Sequence, residues 1–127
     1  MENLIIQPGI KTPSINFNYG EGILNISGKS IPENTFEFYK SVYEWLDNYA
    51  ANPKAKTEII IGLEYFNTSS SKCLLDVFRK LENINKAGKS EVSVTWLYEE
   101  EDEDMMEAGD DYKTIVKLPF TISKINT

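Results

Sequence analysis

The stretch TEIIIGLEYFNTSSSKCLLDVF, residues 57–78, constrains the fold more than any other part of the chain. Its first half carries three consecutive isoleucines and then Leu63, Tyr65 and Phe66, an apolar run that reads as a buried central strand. Its second half, continued to residue 84, places Cys73, Leu74, Val77, Phe78, Leu81 and Ile84 at the period of an amphipathic helix. No linker separates the two. A central strand that passes straight into a helix needs strands on either side and a sheet face to receive the helix. That is an α/β arrangement.

The rest of the chain supplies the missing elements. LIIQ reads as a short edge strand or arm, and SINFNYGEGILNISG as a hairpin turning at Gly20-Glu21-Gly22. Glu33-Asn34-Thr35 signals a helix start before FEFYKSVYEWLDNYAAN. On that helix Phe36, Tyr39, Tyr43, Leu46 and Ala50 project to one face, expected to be the core face. Phe38, Val42, Trp45 and Tyr49 form an apolar shoulder beside it, read as core before interface. The second helix is expected to stop near Ala87-Gly88. EVSVTWLY reads as a strand, residues 101–112 as a helix and PFTISKI as the last strand. The expectation is one domain over 1–127, a mixed β-sheet with helices packed against it.

Several kinds of chemistry are excluded by what the chain lacks. It has no histidine and one cysteine, so Ser-His-Asp and Cys-His catalysis, phosphohistidine relays and His- or Cys-rich metal sites are all ruled out. Cys73 has no internal disulfide partner and reads as a small buried hydrophobe. The net charge of −7 is concentrated: Glu99 to Asp111 holds nine of the 20 acidic residues and no base, leaving 11 acids against 13 bases elsewhere. Such a chain is a poor nucleic-acid binder. No apolar stretch is long enough to span a bilayer, and MENLIIQPG lacks the marks of a signal peptide, so the expected location is the cytoplasm.

The unusual local feature is the run of five small polar residues, Asn67 through Ser71. Projected on the second helix, Ser70 points at the core, where it lets the first turn approach the sheet. Ser69 and Ser71 fall on the flanks. Thr68 points away, with Lys72, Leu75 and Arg79 on the strip below it. A helix start just after a strand offers orphan N–H groups and the positive end of the dipole. A phosphate on Thr68 would therefore be favourably placed, with Lys72 one turn on to pair with it. Glu33 and Asn34 begin the other helix and are expected at the same sheet edge. The pattern alone leaves two readings open, simple capping by Asn67 and a modifiable hydroxyl at Thr68.

The segments TPSINF, GILNISGKSIPENTFEFY, YFNTSSSKCLLDVF and VSVTWLYEEEDEDM resemble the SiaC family of bacterial signalling proteins, small domains similar to STAS domains and anti-sigma-factor antagonists. The resemblance covers nearly the whole chain. Phe66 and the extra Ser71, expected to be an exposed hydroxyl, depart from the family's pattern. The resemblance implies a non-enzymatic switch without a cofactor of its own. A cognate protein kinase phosphorylates it on the threonine of its N-T-S-S motif, here Thr68, and a PP2C-type phosphatase restores it. It further implies that the unmodified form binds and promotes a diguanylate cyclase, linking the protein to cyclic-di-GMP and biofilm formation. By this reading Asn67, Ser69, Ser71, Lys72, Leu75, Arg79, Glu33 and Asn34 are the phosphosite neighbours and partner-binding residues. Two other functions stand beside it. One is an anti-sigma-factor antagonist that sequesters a kinase. The other is a small carboxylate enzyme or metal binder using the 99–111 tract, although Asp102-Glu103-Asp104 lacks the later Gly and Glu of a calcium loop.

Overall fold

The computed structural model describes residues 1–125. Its elements follow the expected order: β1 (Leu4–Ile6), β2 (Ser14–Asn18), β3 (Ile23–Ser30), α1 (Thr35–Ala51), β4 (Lys56–Phe66), α2 (Thr68–Lys86), β5 (Glu91–Glu99), α3 (Glu103–Ile115) and β6 (Phe120–Ile125). The acidic tract does form a helix, displaced by a few residues from 101–112. Asp102 is its cap, accepting from the Met105 N–H at 3.0 Å, so the helical turns begin at Glu103.

The sheet has six strands in chain order. β1, β2 and β3 are antiparallel neighbours, and β3, β4, β5 and β6 are parallel ones. The first turn closes at Gly22, whose φ of +68° suits glycine and where any Cβ would strike the Lys56 carbonyl oxygen. β4 lies between two parallel strands, as the isoleucine run implied.

One face of the sheet is the core. Two rows cross it in register: Leu4, Phe17, Leu24, Ile59, Val94 and Phe120, then Ile6, Ile15, Ile26, Ile61, Trp96 and Ile122. All three helices pack on these rows. Trp45 of α1 meets Phe17, Phe78 of α2 meets Phe120, and Tyr112 of α3 meets Trp96, each as a ring pair with centroids within 5.8 Å. Ile60, between two fully buried isoleucines, lies on the opposite face and is half-buried. α3 approaches especially closely, because a Cβ on Gly109 would collide with the Trp96 ring, and the Trp96 indole N–H donates to the Met105 carbonyl.

α1 is rotated from the expected orientation. Its buried side chains are Thr35, Tyr39, Val42, Trp45, Leu46 and Tyr49, whereas Phe36, expected in the core, is 65% exposed. The apolar surface of α1 is wider than the sheet can cover. Trp45 and Tyr49 stack on each other and Trp45 packs on Phe17, which turns the shoulder inward and leaves Phe36 outside. α2 matches its pattern: Ser70, Cys73, Leu74, Val77, Phe78, Leu81 and Ile84 are its buried residues, and Gly88 takes a φ of +76° just past its end.

Candidate functional site

The site lies where β3 and β4 end and α1 and α2 begin. Asn67 makes the transition. Its side-chain oxygen accepts from the Ser70 N–H at 2.9 Å, its carbonyl accepts from the Ser71 N–H at 3.0 Å, and its own N–H donates to the Ser30 carbonyl at 3.2 Å. The cap therefore satisfies the later donors of the first turn and leaves the N–H groups of Thr68 and Ser69 without an intrahelical acceptor. α2 also has no acidic residue in its first turn, whereas α1 has Glu37 and α3 has Glu103 and Asp104. The positive end of the α2 dipole is thus left without a neutralising carboxylate on its own turn.

Each remaining hydroxyl of the cluster except one is occupied. Ser70 is fully buried, donating to the Ser30 carbonyl at 2.8 Å and accepting from the Ser30 hydroxyl at 2.8 Å. The Ser30 hydroxyl in turn bonds the Tyr39 phenol at 2.7 Å. Burial pushes the Tyr39 phenol up to about 12, against the lowering effect of its bond to Ser30, so it stays neutral inside this network. The Ser69 hydroxyl lies 2.8 Å from that of Thr35 and 3.2 Å from the Asn67 side-chain oxygen. The Ser71 hydroxyl lies 2.8 Å from that of Tyr112, which also bonds the Ser71 carbonyl. Ser71, expected as a second exposed hydroxyl, is half-buried and engaged by α3. Burial raises the Tyr112 phenol as well. Thr68 alone is exposed with no hydrogen-bond partner for its hydroxyl among the described residues.

The other expected site residues divide into three groups. Lys72 is exposed and makes no ion pair among the described residues. With Leu75 it borders a groove of about 250 Å³ between α2 and α3. Asn34 caps α1 by accepting from the Glu37 N–H at 3.1 Å, and Glu33 lies 3.9 Å from the Lys11 ammonium. The two helix starts do meet, as expected, but the contact is made by Thr35 and Ser69. Arg79 is committed elsewhere: its guanidinium holds both Glu82 oxygens at 2.9 Å and the Ile115 carbonyl at 3.2 Å. It pins the end of α3 to α2 and is not a free cation beside Thr68.

Sequence reasoning missed Thr35, Ser30, Tyr39 and Tyr112 as the cluster's partners. The only local hint was that Asn34-Thr35 repeats the dipeptide Asn67-Thr68. The acidic tract does not gather into a metal site, since among the described residues no three His, Cys, Asp or Glu side chains are placed to hold an ion. No helix among the described residues is long and apolar enough to cross a membrane.

With this geometry in place, comparison with known proteins is decisive. A model of the SiaC family, described as regulatory phosphoproteins, matches residues 6–125. The chain belongs to the SiaC family. It is 31% identical over 122 residues to an uncharacterized protein of Pseudomonas aeruginosa (strain UCBPP-PA14), covering 96% of both chains. It superposes on the crystal structure of apo-SiaC from Pseudomonas aeruginosa with a TM-score of 0.88 at 30% identity, covering 97% of this chain and 99% of that one. It also superposes, with a TM-score of 0.89 at 30% identity over 96% of this chain and 99% of the other, on SiaC solved in complex with the diguanylate cyclase SiaD, which that SiaC activates. The expected α/β fold with a mixed sheet is therefore the SiaC fold. Within this fold the Thr68 hydroxyl is exposed and has no hydrogen-bond partner among the described residues.

Proposed function

We propose that this SiaC-family chain is a non-enzymatic switch controlled at Thr68. In this reading a cognate kinase phosphorylates Thr68 and a PP2C-type phosphatase removes the phosphate. The unmodified form binds and regulates a partner, by similarity a diguanylate cyclase. The observation that carries the reading is the isolation of Thr68 within its cluster. Asn67 caps, Ser70 packs, Ser69 and Ser71 are bonded to other elements, and Thr68 has no structural task visible among the described residues. The Pseudomonas aeruginosa complex supports a cyclase as the partner class.

A phosphate on Thr68 would sit beside two orphan N–H groups at the positive end of α2, with Lys72 one turn further on. Its charge of about −1.5 to −2 would add a tightly hydrated group to the exposed strip formed with Leu75. A partner that covers this strip would have to strip the phosphate of water or stay away.

The test is capture of binding partners from the native host by three baits: the unmodified chain, the phosphorylated chain and Thr68→Ala. The unmodified chain and Thr68→Ala retain the cyclase-type partner, and the phosphorylated chain releases it. Equal capture by all three would remove Thr68 from the switch.

A further inference from the structure

We infer that Thr35 is the residue that confines phosphorylation to Thr68. Its hydroxyl ties up the oxygen of Ser69, the other exposed serine or threonine in the first turn of α2, and so keeps a second acceptor silent. The inference deepens the switch reading given above and rests on it.

Exposure alone does not separate the two candidates. Thr68 and Ser69 are neighbours and both are exposed, whereas Ser70 is fully buried and Ser71 is half-buried beside Tyr112. Their Cα atoms are about 3.8 Å apart, so a kinase that reaches one reaches the other. The difference lies in bonding. A serine hydroxyl has one proton and two lone pairs. The Ser69 proton goes to the Asn67 side-chain oxygen at 3.2 Å, the same oxygen that accepts from the Ser70 N–H. That atom can only accept. The 2.8 Å contact between Ser69 and Thr35 therefore has Thr35 donating, into a lone pair of the Ser69 oxygen. Ser69 is held toward α1 by its proton and by a lone pair. Thr68 is held by neither.

The chemistry makes that difference count. An acceptor oxygen must turn a lone pair onto the γ-phosphorus of the kinase's nucleoside triphosphate. The new P–O bond forms as the bond to the nucleoside diphosphate breaks. The electrons of the broken bond leave with the diphosphate, and the hydroxyl proton passes to a base of the kinase. Ser69 can do this only by turning away from α1 and giving up both bonds. Thr68 turns freely. Thr35 is 8% exposed, so water competes little for the hydroxyl that holds Ser69. That hydroxyl has no part in starting α1, because Asn34 supplies the cap. A single acceptor also gives the switch two charge states. A second phosphate on Ser69 would add a further charge of about −1.5 to −2 at the same turn.

The experiment is site-resolved phosphate mapping of full-length protein recovered from the native host. Five chains are compared: the parent, Thr35→Val, Thr68→Ala, Thr35→Val with Thr68→Ala, and Thr35→Ser with Thr68→Ala. Valine keeps the shape of threonine and removes the donor, and serine restores the donor. The parent is expected to carry phosphate on Thr68 alone, and Thr35→Val on Thr68 and Ser69. Thr35→Val with Thr68→Ala carries phosphate on Ser69 at least about fivefold above the Thr68→Ala background. Thr35→Ser with Thr68→Ala returns to that background. If Thr35→Val does not fold, Thr35→Ala removes the same donor. Ser69 without phosphate in the Thr35→Val double variant, while the parent carries it on Thr68, overturns the inference and leaves the switch reading standing. Phosphate that spreads to Ser71 as well also overturns it, because that describes a general loosening of the first turn. So does loss of phosphate from Thr68 in folded Thr35→Val, which would make Thr35 a contact of the kinase itself. A parent without phosphate on Thr68 brings down the switch reading, and the inference with it.

Discussion

The chain contains the same two-residue helix start twice. Asn34-Thr35 opens α1 and Asn67-Thr68 opens α2, and each asparagine caps its helix through the N–H three residues on, at 3.1 and 2.9 Å. The threonines then part company. Thr35 is 8% exposed and bonded to Ser69, and its helix has Glu37 in the first turn. Thr68 is exposed and unbonded, and its first turn has no carboxylate. Capping therefore explains the asparagine in both places and the threonine in neither. What buries one threonine and leaves the hydroxyl of the other free is the surface around it: Thr35 faces the start of α2, while Thr68 faces water.

The largest expected difference between the two threonines is all-or-none. Thr68→Ala abolishes phosphate incorporation by the host kinase and Thr35→Ala does not, as read by intact mass of protein recovered from the native host. Next is stability. Ser70→Ala leaves the Ser30 hydroxyl and carbonyl short of a partner inside the core and costs about 1–3 kcal/mol in urea unfolding. Thr68→Ala stays within about 0.5 kcal/mol. A loss at Thr68 as large as that at Ser70 would mean the exposed hydroxyl has a structural bond after all. The two caps should be closer to each other: Asn34→Ala and Asn67→Ala each cost about 1 kcal/mol, with Asn67 the larger because it also accepts from the Ser69 hydroxyl.

The smallest effect lies at the far end of α2 and serves as a control on the local character of the others. Burial alone would raise the Glu82 carboxyl, but the Lys117 N–H and the Arg79 guanidinium outweigh it and hold it below its usual value. A depressed folded value means stability that is complete above the unfolded carboxyl range near about 4.5 and is lost as pH falls through the folded value. Glu82→Gln therefore lowers the melting temperature by a few degrees at pH 7, and the difference from the parent narrows as pH falls below the ordinary carboxyl range and through the lowered folded value. It leaves Thr68 phosphorylation unchanged. Altered phosphorylation in this variant would show that α3's tether to α2 reaches the site.

Local pattern carried most of the fold. Period-two and period-3.6 stretches with caps and turn glycines located all nine elements and sent Ser70 inward and Thr68 outward. It did not carry the rotation of α1. Nine apolar residues wrap too much of that helix, and only the packing of Trp45 on Phe17 decides that Phe36 stays outside. Nor did it carry the cluster's partners. Ser30, Thr35 and Tyr112 meet Ser70, Ser69 and Ser71 across 40, 34 and 41 residues, and contacts between hydroxyls leave no periodic trace in a sequence. Arg79 shows the same limit: the projection put it on the strip below Thr68, but Glu82 and the end of α3 hold its guanidinium.

The proposal that Thr68, and not its twin Thr35, is the controlled acceptor can be measured directly. Trypsin places the two threonines in separate peptides, residues 30–40 for Thr35 and 57–72 for Thr68. Phosphosite mapping of protein purified from its own host, with Thr68→Ala alongside, should find phosphate in the 57–72 peptide, localised to Thr68 and gone in the variant, and none in the 30–40 peptide. Phosphate on Thr35, Ser69 or Ser71, or a 57–72 peptide without phosphate under every growth condition tried, would contradict it.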